Sequence, residues 1–199
     1  MREEKRQARM REIEAVAYEV LAEQGYDGTS MLSVAKRARA SNETLYRWYG
    51  DKNGLFESMV RANAQDVCKT LAAQAQEGIP PVAQLARLAP VLLGMLLGER
   101  AIALNRAAAA DTTGGLGRAI AAGGRDSVLP LLVTLMEDAV GAGQLVAPAQ
   151  GDMAALFMHL LVGDQQIRRA IGTLPPPLPE QIEAQAGIAI AQFMALCGA

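Results

Sequence analysis

The sequence is short of the residues that mark most alternatives to a helical binding protein. It has two cysteines, Cys68 and Cys197, far apart in the chain. That spacing makes neither a disulfide framework nor a zinc site, so both read as buried free thiols. His159 is the only histidine. No glycine-rich phosphate loop, metal cluster, Ser/His/Asp or Cys/His spacing accompanies it, which excludes the common enzyme classes and predicts no cofactor. Aromatic residues make up 4% of the chain; their scarcity beside abundant alanine suits packed helices better than sheets. No apolar stretch reads as long enough without charges to cross a membrane, and the start, MREEKRQARMREIEA, lacks the apolar run of a signal peptide. A cytoplasmic protein with no membrane partner is expected.

Positive charge is also scarce overall, since the net charge is −2. Its distribution is uneven. Lys36, Arg37, Arg39, Arg47 and Lys52 face only Glu43 and Asp51 over residues 36–52. A local basic patch on an acidic chain is the footprint of a selective DNA reader. A solvated charged surface reads the same way, and charge alone does not separate the two.

What is present is helical periodicity. Ile13, Val16, Ala17, Val20 and Leu21 form one apolar stripe, which Gly25 ends. Ser30 can cap a short helix over 31–38 with Val34, Ala35 and Ala38 inward. Ser41 can cap a second over 42–49 with Leu45 and Tyr49 inward, and Asp51 a long one over 52–76. Beyond Gly78-Ile79-Pro80-Pro81 the spacing predicts helices near 81–98, 99–111, 115–122, 126–143, 152–171 and 178–197. Breaks are expected at Gly114-Gly115, Gly123-Gly124, Gly141 to Pro148 and Gly172 to Pro179. Pro90 should kink its helix, and Pro130 should sit in a first turn or kink its own. No strand pattern occurs, so the fold class is all-α.

Two short helices across a three-residue turn, set against a longer first helix, make a helix-turn-helix pattern. The run GYDGTSMLSVAKRARASNETLYRWYGDKNGLFESMV, residues 25–60, goes further and resembles the DNA-binding domain of the tetracycline-repressor (TetR) family. Gly25, Tyr26, Thr29, Ser30, Val34, Ala35, Ala38, Ser41, Thr44, Leu45, Tyr46, Tyr49, Lys52 and Leu55 carry the resemblance. The later runs ALNRAAAAD and LFMHLLVGDQQIRRAIG resemble one subgroup of TetR-family ligand domains. The resemblance implies a three-helix helix-turn-helix DNA-binding domain at 1–55 and a helical ligand-binding and dimerisation domain at 56–199. It implies a homodimer on double-stranded operator DNA, a small-molecule effector and, since most relatives repress, a repressor released by a small apolar molecule. An activator, or a TetR-like sensor module without DNA binding, stays open beside it. Two departures stand out: Arg39 replaces the usual turn glycine, and Trp48 stands where histidine is common.

On the recognition helix, Asn42, Glu43, Thr44 and Arg47 are the base-edge candidates. Thr29, Arg39, Tyr46 and Lys52 are phosphate candidates. Trp48 either meets phosphate or sugar or only packs, and Glu43 either accepts from cytosine or is a solvated residue that DNA repels.

In the C-terminal part, Met153–Val162 is apolar almost all round, and the last helix carries Ile182, Ala186, Ile190, Phe193 and Met194 on one face. Both suit a dimeric four-helix bundle built from 152–171 and 178–197, with Phe193 and Leu160 as interface residues. Met95, Leu104, Asn105, Arg106, Phe157 and His159 are the candidate ligand-pocket residues, with Met136 and Met153 as further apolar lining. Each has a plainer alternative: core packing for the apolar ones, an interhelical tie for Asn105 and Arg106, and a hydrogen-bonded core or interface histidine for His159.

Overall fold

The structure, a computed structural model, describes residues 2–148 and 151–199. The described residues contain helices and no strand; one isolated β-bridge pairs Leu145 with Gly198. In chain order the helices are α1 (Arg2–Gly28), α2 (Met31–Arg37), α3 (Asn42–Tyr49), α4 (Lys52–Gln76), α5 (Pro81–Leu97), α6 (Glu99–Ala110), α7 (Gly115–Ile120), α8 (Asp126–Gly141), α9 (Met153–Val162), α10 (Gln165–Ala170) and α11 (Pro179–Cys197). Gly25, at φ +68° and ψ 179°, interrupts α1 where the sequence ends the first helix.

Two compact units share these helices. One comprises the chain up to Ala62 together with Ala103–Gly124, and the other Asn63–Ile102 with Arg125–Ala199. Compactness thus divides the chain differently from the functional division 1–55 and 56–199 expected from the sequence. The reason is apolar burial. Leu104, Ala107, Leu116 and Ala119 belong to the same core as Ile13, Val20, Val34, Leu45, Leu55 and Phe56. The first unit needs these residues because its short helices expose much surface for their size. Asp111 fixes the α6–α7 corner, accepting from Thr113 N at 2.9 Å, Thr113 Oγ1 at 2.6 Å and Leu116 N at 2.8 Å. These bonds, the Thr113 hydroxyl first, hold its carboxyl below the usual carboxylate range. The gain to the fold is full above that range and is lost as pH falls through it.

The glycine pairs differ: Gly114-Gly115 breaks the chain between α6 and α7 as expected. Gly123-Gly124 does not break the chain: a π-helical turn, Ala121–Arg125, joins α7 to α8 in one helix from Gly115 to Gly141. A Cβ on Gly123 would stand 3.1 Å from Val60 Cγ1 and 3.3 Å from Glu57 O. That glycine serves a close approach to α4. By length and composition Gly115–Gly141 would pass for a membrane span, contrary to the expectation from sequence. However, Arg118, Arg125 and Asp126 interrupt it, and Val128, Leu132, Leu135, Met136 and Ala139 are spent on a protein core. Conversely, the expected helix 152–171 is cut by Gly163, at φ +53° and ψ −131°, into α9 and α10. Pro90 lies inside α5 without ending it, and Pro130 lies inside α8.

The second unit packs around α5, which touches α8, α9, α10 and α11. Its core joins Leu88, Leu92 and Leu93 to Met136, Phe157, Leu161, Ala189 and Phe193. Phe157 and Phe193 meet edge to face with centroids 5.5 Å apart. Phe193 is 0% exposed within one chain. It is a core residue of the protomer, which corrects its assignment to a subunit interface. Cys197 is buried, Cys68 half-buried, and both are free.

Candidate nucleic-acid interface

The local chemistry of residues 30–52 sets the presentation of α3. Ser30 and Ser33 form a reciprocal capping box at the start of α2. Arg37, at its other end, is held by Glu23 at 2.7 Å and Glu19 at 3.3 Å, both from α1. Its guanidinium hydrogen bond keeps the Glu23 carboxyl below the usual range. One of the five bases of the patch is therefore engaged with the protein itself.

α2 closes with Ala40 N donating to Ala35 O at 2.9 Å while Arg39 sits at φ +49°. Arg39 is the one non-glycine residue at positive φ among those described. The turn is left-handed at Arg39 without a glycine, at a cost of about 1 kcal/mol. Arg9 supports it, Nη2 donating to Ala38 O at 2.7 Å. Arg39→Gly should therefore raise stability by about 1 kcal/mol in urea unfolding; unchanged or lowered stability would show that the arginine itself holds the turn.

Ser41 then caps α3, its Oγ accepting from Thr44 N at 3.0 Å and lying 2.7 Å from Thr44 Oγ1. Gly50 ends α3 at φ +79°. Leu45 and Tyr49 are buried, and burial, with the charge of Glu14, raises the Tyr49 phenol well above its usual value. The opposite face carries Asn42, Glu43, Tyr46 and Arg47, all exposed, one stripe at helical spacing. Thr44 is half-buried and Trp48 packs against the core with partial exposure.

Of the expected phosphate ligands, one is buried and one is pinned. Thr29 is 2% exposed, and its hydroxyl donates to Gly25 O at 2.7 Å. It closes the turn after α1 and is not on the surface. Lys52 is half-buried; its ammonium donates to Tyr26 O and lies 3.9 Å from the Tyr26 ring centroid. Burial lowers its pKa from the usual lysine value, with Asp27 and Asp111 opposing. It is a pinned cation with donors to spare, whereas Arg39 is exposed.

The sequence reading passed over Gly54. Asp51 Oδ1 caps its N–H at 2.8 Å, and a Cβ there would stand 1.9 Å from Tyr49 O. The signal was present as the glycine of DKNGL, inside a helix start where a glycine has no propensity to recommend it.

The candidate ligand residues scatter. Leu104 is buried in the first unit's core, Asn105 is half-buried and Arg106 exposed. In the second unit Phe157 is enclosed, Met95 is half-buried against the core, and Met136 and Met153 belong to or pack on it. His159 is exposed, Nδ1 lying 2.7 Å from Ala155 O of its own helix, which corrects the core alternative and leaves the hydrogen-bonded interface one. The second unit instead has a groove of about 470 Å3 between α5 and the start of α11, lined by none of these residues.

Comparison with known proteins gives two family matches. Residues 13–59 match the model for bacterial regulatory proteins of the tetR family, and residues 83–199 the C-terminal domain of AefR-like transcriptional repressors. No curated protein sequence matches. A TetR-family transcriptional regulator candidate from Mesorhizobium loti is 26% identical with a TM-score of 0.75, the match covering 97% of this chain and 98% of that one. A TetR transcriptional regulator from Agrobacterium tumefaciens is 25% identical with a TM-score of 0.73, covering 96% and 94%. FadR of Bacillus subtilis, solved in complex with stearoyl-CoA, shares the fold at 15% identity and a TM-score of 0.67, covering 92% and 96%.

Proposed function

Because the chain belongs to the TetR family of bacterial regulatory proteins, we propose that it is a repressor that leaves its operator when a small apolar molecule binds. At the coarser level it is a transcriptional regulator with a DNA-binding domain and not an enzyme. The observation that carries the reading is the outer stripe of α3. Asn42, Glu43, Tyr46 and Arg47 are exposed there, on a helix whose other face is locked into a core. Such a helix can enter a major groove, with Arg47 suited to guanine, Asn42 to adenine and Glu43 to cytosine. Tyr46, Arg39 and Lys52 would hold the backbone. Thr44 and Trp48 keep smaller roles, since one serves the cap and the other the core.

A homodimer supplies the second head. Beside the protomer core, Ile171 just after α10 is 68% exposed, and Ile188 and Leu196 of α11 are 52% and 64% exposed, apolar surface that a partner copy would cover. With Phe193 internal, the interface test moves outward. Ile188→Glu combined with Leu196→Glu should give a folded monomer in sedimentation, and a monomeric wild type at micromolar concentration would sink the dimer. The operator should then be a near-palindrome. A cytoplasmic location accords with operator binding.

An effector is supported by analogy with the FadR complex, whose stearoyl-CoA belongs to that protein. If the effector weakens DNA binding, DNA weakens effector binding by the same factor. A mobility shift on the chain's own upstream region, with and without cell-extracted apolar metabolites, tests the whole reading. No shift at low salt removes DNA binding, and a shift that no extract relieves removes the sensor.

A further inference from the structure

We propose that the first turns of α1 form a second DNA-contacting face, which grips the sugar-phosphate strand beside the groove that α3 enters. The inference rests on the reading that α3 binds operator DNA, and it adds a surface outside residues 25–60. Lys5, Arg9, Ile13, Val16 and Val20 step along α1 by four, four, three and four residues, which is one stripe of a helix. From Ile13 onward the stripe is apolar and packs into the core with Val34 and Leu45. Before Ile13 the same stripe is basic, with Arg6 beside Lys5 and Arg9. The helix outruns its core there, and residues 3–8 are exposed.

Two ties carry this face to the reading helix. Arg9 is half-buried. Its Nη2 donates to Ala38 O at 2.7 Å and to Arg39 O at 3.3 Å, while Nη1 pairs with Glu12. One residue on, Met10 O accepts from the Tyr49 hydroxyl at 3.4 Å. The start of α1 is thus held against the turn before α3 and against the last turn of α3. Lys5 stands one helical turn, about 6 Å, beyond Arg9 on the same side. From the turn that Arg9 holds, the chain runs through exposed Arg39 into Asn42 and Glu43, exposed at the start of α3. The basic stripe is therefore continuous with the face that would enter the groove, and a duplex seated on α3 brings a row of phosphates to it.

Charge names the partner. Lys5, Arg6 and Arg9 fall within about 100° of one another around the helix. Glu3 and Glu4 fall outside that sector, and Glu12 stands at its border, already paired with Arg9. Lys5 makes no ion pair among the described residues. Arg6 meets Glu3 at 3.8 Å, both side chains more than half exposed, a pair of little worth that a phosphate can displace. The chain as a whole carries a charge of −2, so composition does not account for this row of bases. A regular polyanion fits it. Each DNA strand carries about one negative charge per 3.4 Å of axis, close enough for Lys5 and Arg9 to meet phosphates of the same strand.

The test is the salt dependence of binding by the full chain to a random-sequence duplex and to its own upstream region. Lys5→Ala combined with Arg6→Ala should weaken both complexes about tenfold at low salt and lower the slope of log affinity against log salt by about two per protomer. Both positions are exposed, so the urea midpoint should not move. Lys5→Arg combined with Arg6→Lys should keep the wild-type slope. Arg11→Ala is the control. Arg11 is exposed and makes no hydrogen bond or ion pair with the described residues, but it lies about 160° round the helix from Arg9, and its loss should leave the slope unchanged. Phosphate-ethylation interference should lose one cluster of positions in the double alanine variant and none in Arg11→Ala. An unchanged slope in the double alanine variant overturns the proposal. So does an equal fall per charge in Arg11→Ala, which would reduce the face to general attraction. A wild type that binds no DNA overturns the reading of α3 together with this face, whereas a bound wild type with an indifferent double variant removes the face alone.

Discussion

Gly54→Ala should unfold the first compact unit, or leave it so weakened that it melts far below the wild type. An added Cβ would lie 1.9 Å from Tyr49 O and 3.1 Å from Tyr49 C. The obstacle is backbone, so no rotamer change relieves it. The position is also fixed from behind, since Asp51 Oδ1 holds the Gly54 N–H at 2.8 Å as the cap of α4. Tyr49 is 8% exposed and anchors the last turn of α3 in the core. The clash must therefore part α3 from α4, and with them the hydrophobic contacts of Leu45, Leu55 and Phe56. A cost at or above the top of the roughly 1–3 kcal/mol range for overpacking is expected. Gly117→Ala is the control. A Cβ at this helical glycine meets nothing within 4 Å, so the same change should stabilise by about 0.5–1 kcal/mol. Urea unfolding of both variants separates a steric requirement from a general penalty on altering glycines. A Gly54→Ala variant with wild-type stability would remove the steric requirement.

The same contrast explains what the sequence could and could not reveal. The starts of α2, α3 and α4 are legible because Ser30, Ser41 and Asp51 act on amides two or three residues away. Local chemistry is written locally. Gly123 and Gly163 are not legible in this way. Gly123 is selected by the side of α4 facing it, Gly163 by its own backbone angle, and both appear in the sequence as glycine in an apolar helix. Periodicity placed Asn42, Glu43 and Arg47 on the outer face of α3, but it also placed Thr44 there, which the Ser41 cap half-buries. The burial of Thr29 and the pinning of Lys52 were hidden because their polar ends bond to backbone carbonyls of Gly25 and Tyr26, partners that carry no side-chain signature. Phe193 was misplaced for a related reason: an apolar helix face announces burial but not by which chain. The candidate ligand residues had no period or spacing behind them, and the fold scatters them over both compact units.

Arg47→Ala and Lys52→Ala should lower DNA affinity in distinguishable ways. Arg47 is exposed on α3 and makes no hydrogen bond or ion pair with the described residues, so its removal should change stability by less than about 0.5 kcal/mol. As a base reader it should cost about 1–3 kcal/mol on the operator, roughly 10- to 100-fold, and relax preference at one position of each half-site. Random DNA should be affected far less. Lys52 differs in both respects. It holds Tyr26 through the carbonyl and the ring, so Lys52→Ala should also cost stability, about 1–2 kcal/mol. On DNA its loss should weaken all sequences alike and reduce the slope of log affinity against log salt by about one. Measurements belong well below the melting temperature of the variant, so that the two losses do not mix. Affinity for operator and random DNA, titrated across salt for both variants, gives four slopes. Equal losses on operator and random DNA for Arg47→Ala would transfer that arginine from the bases to the phosphates. An unchanged slope for Lys52→Ala would make Lys52 a clamp on Tyr26 that positions α4 and never meets DNA.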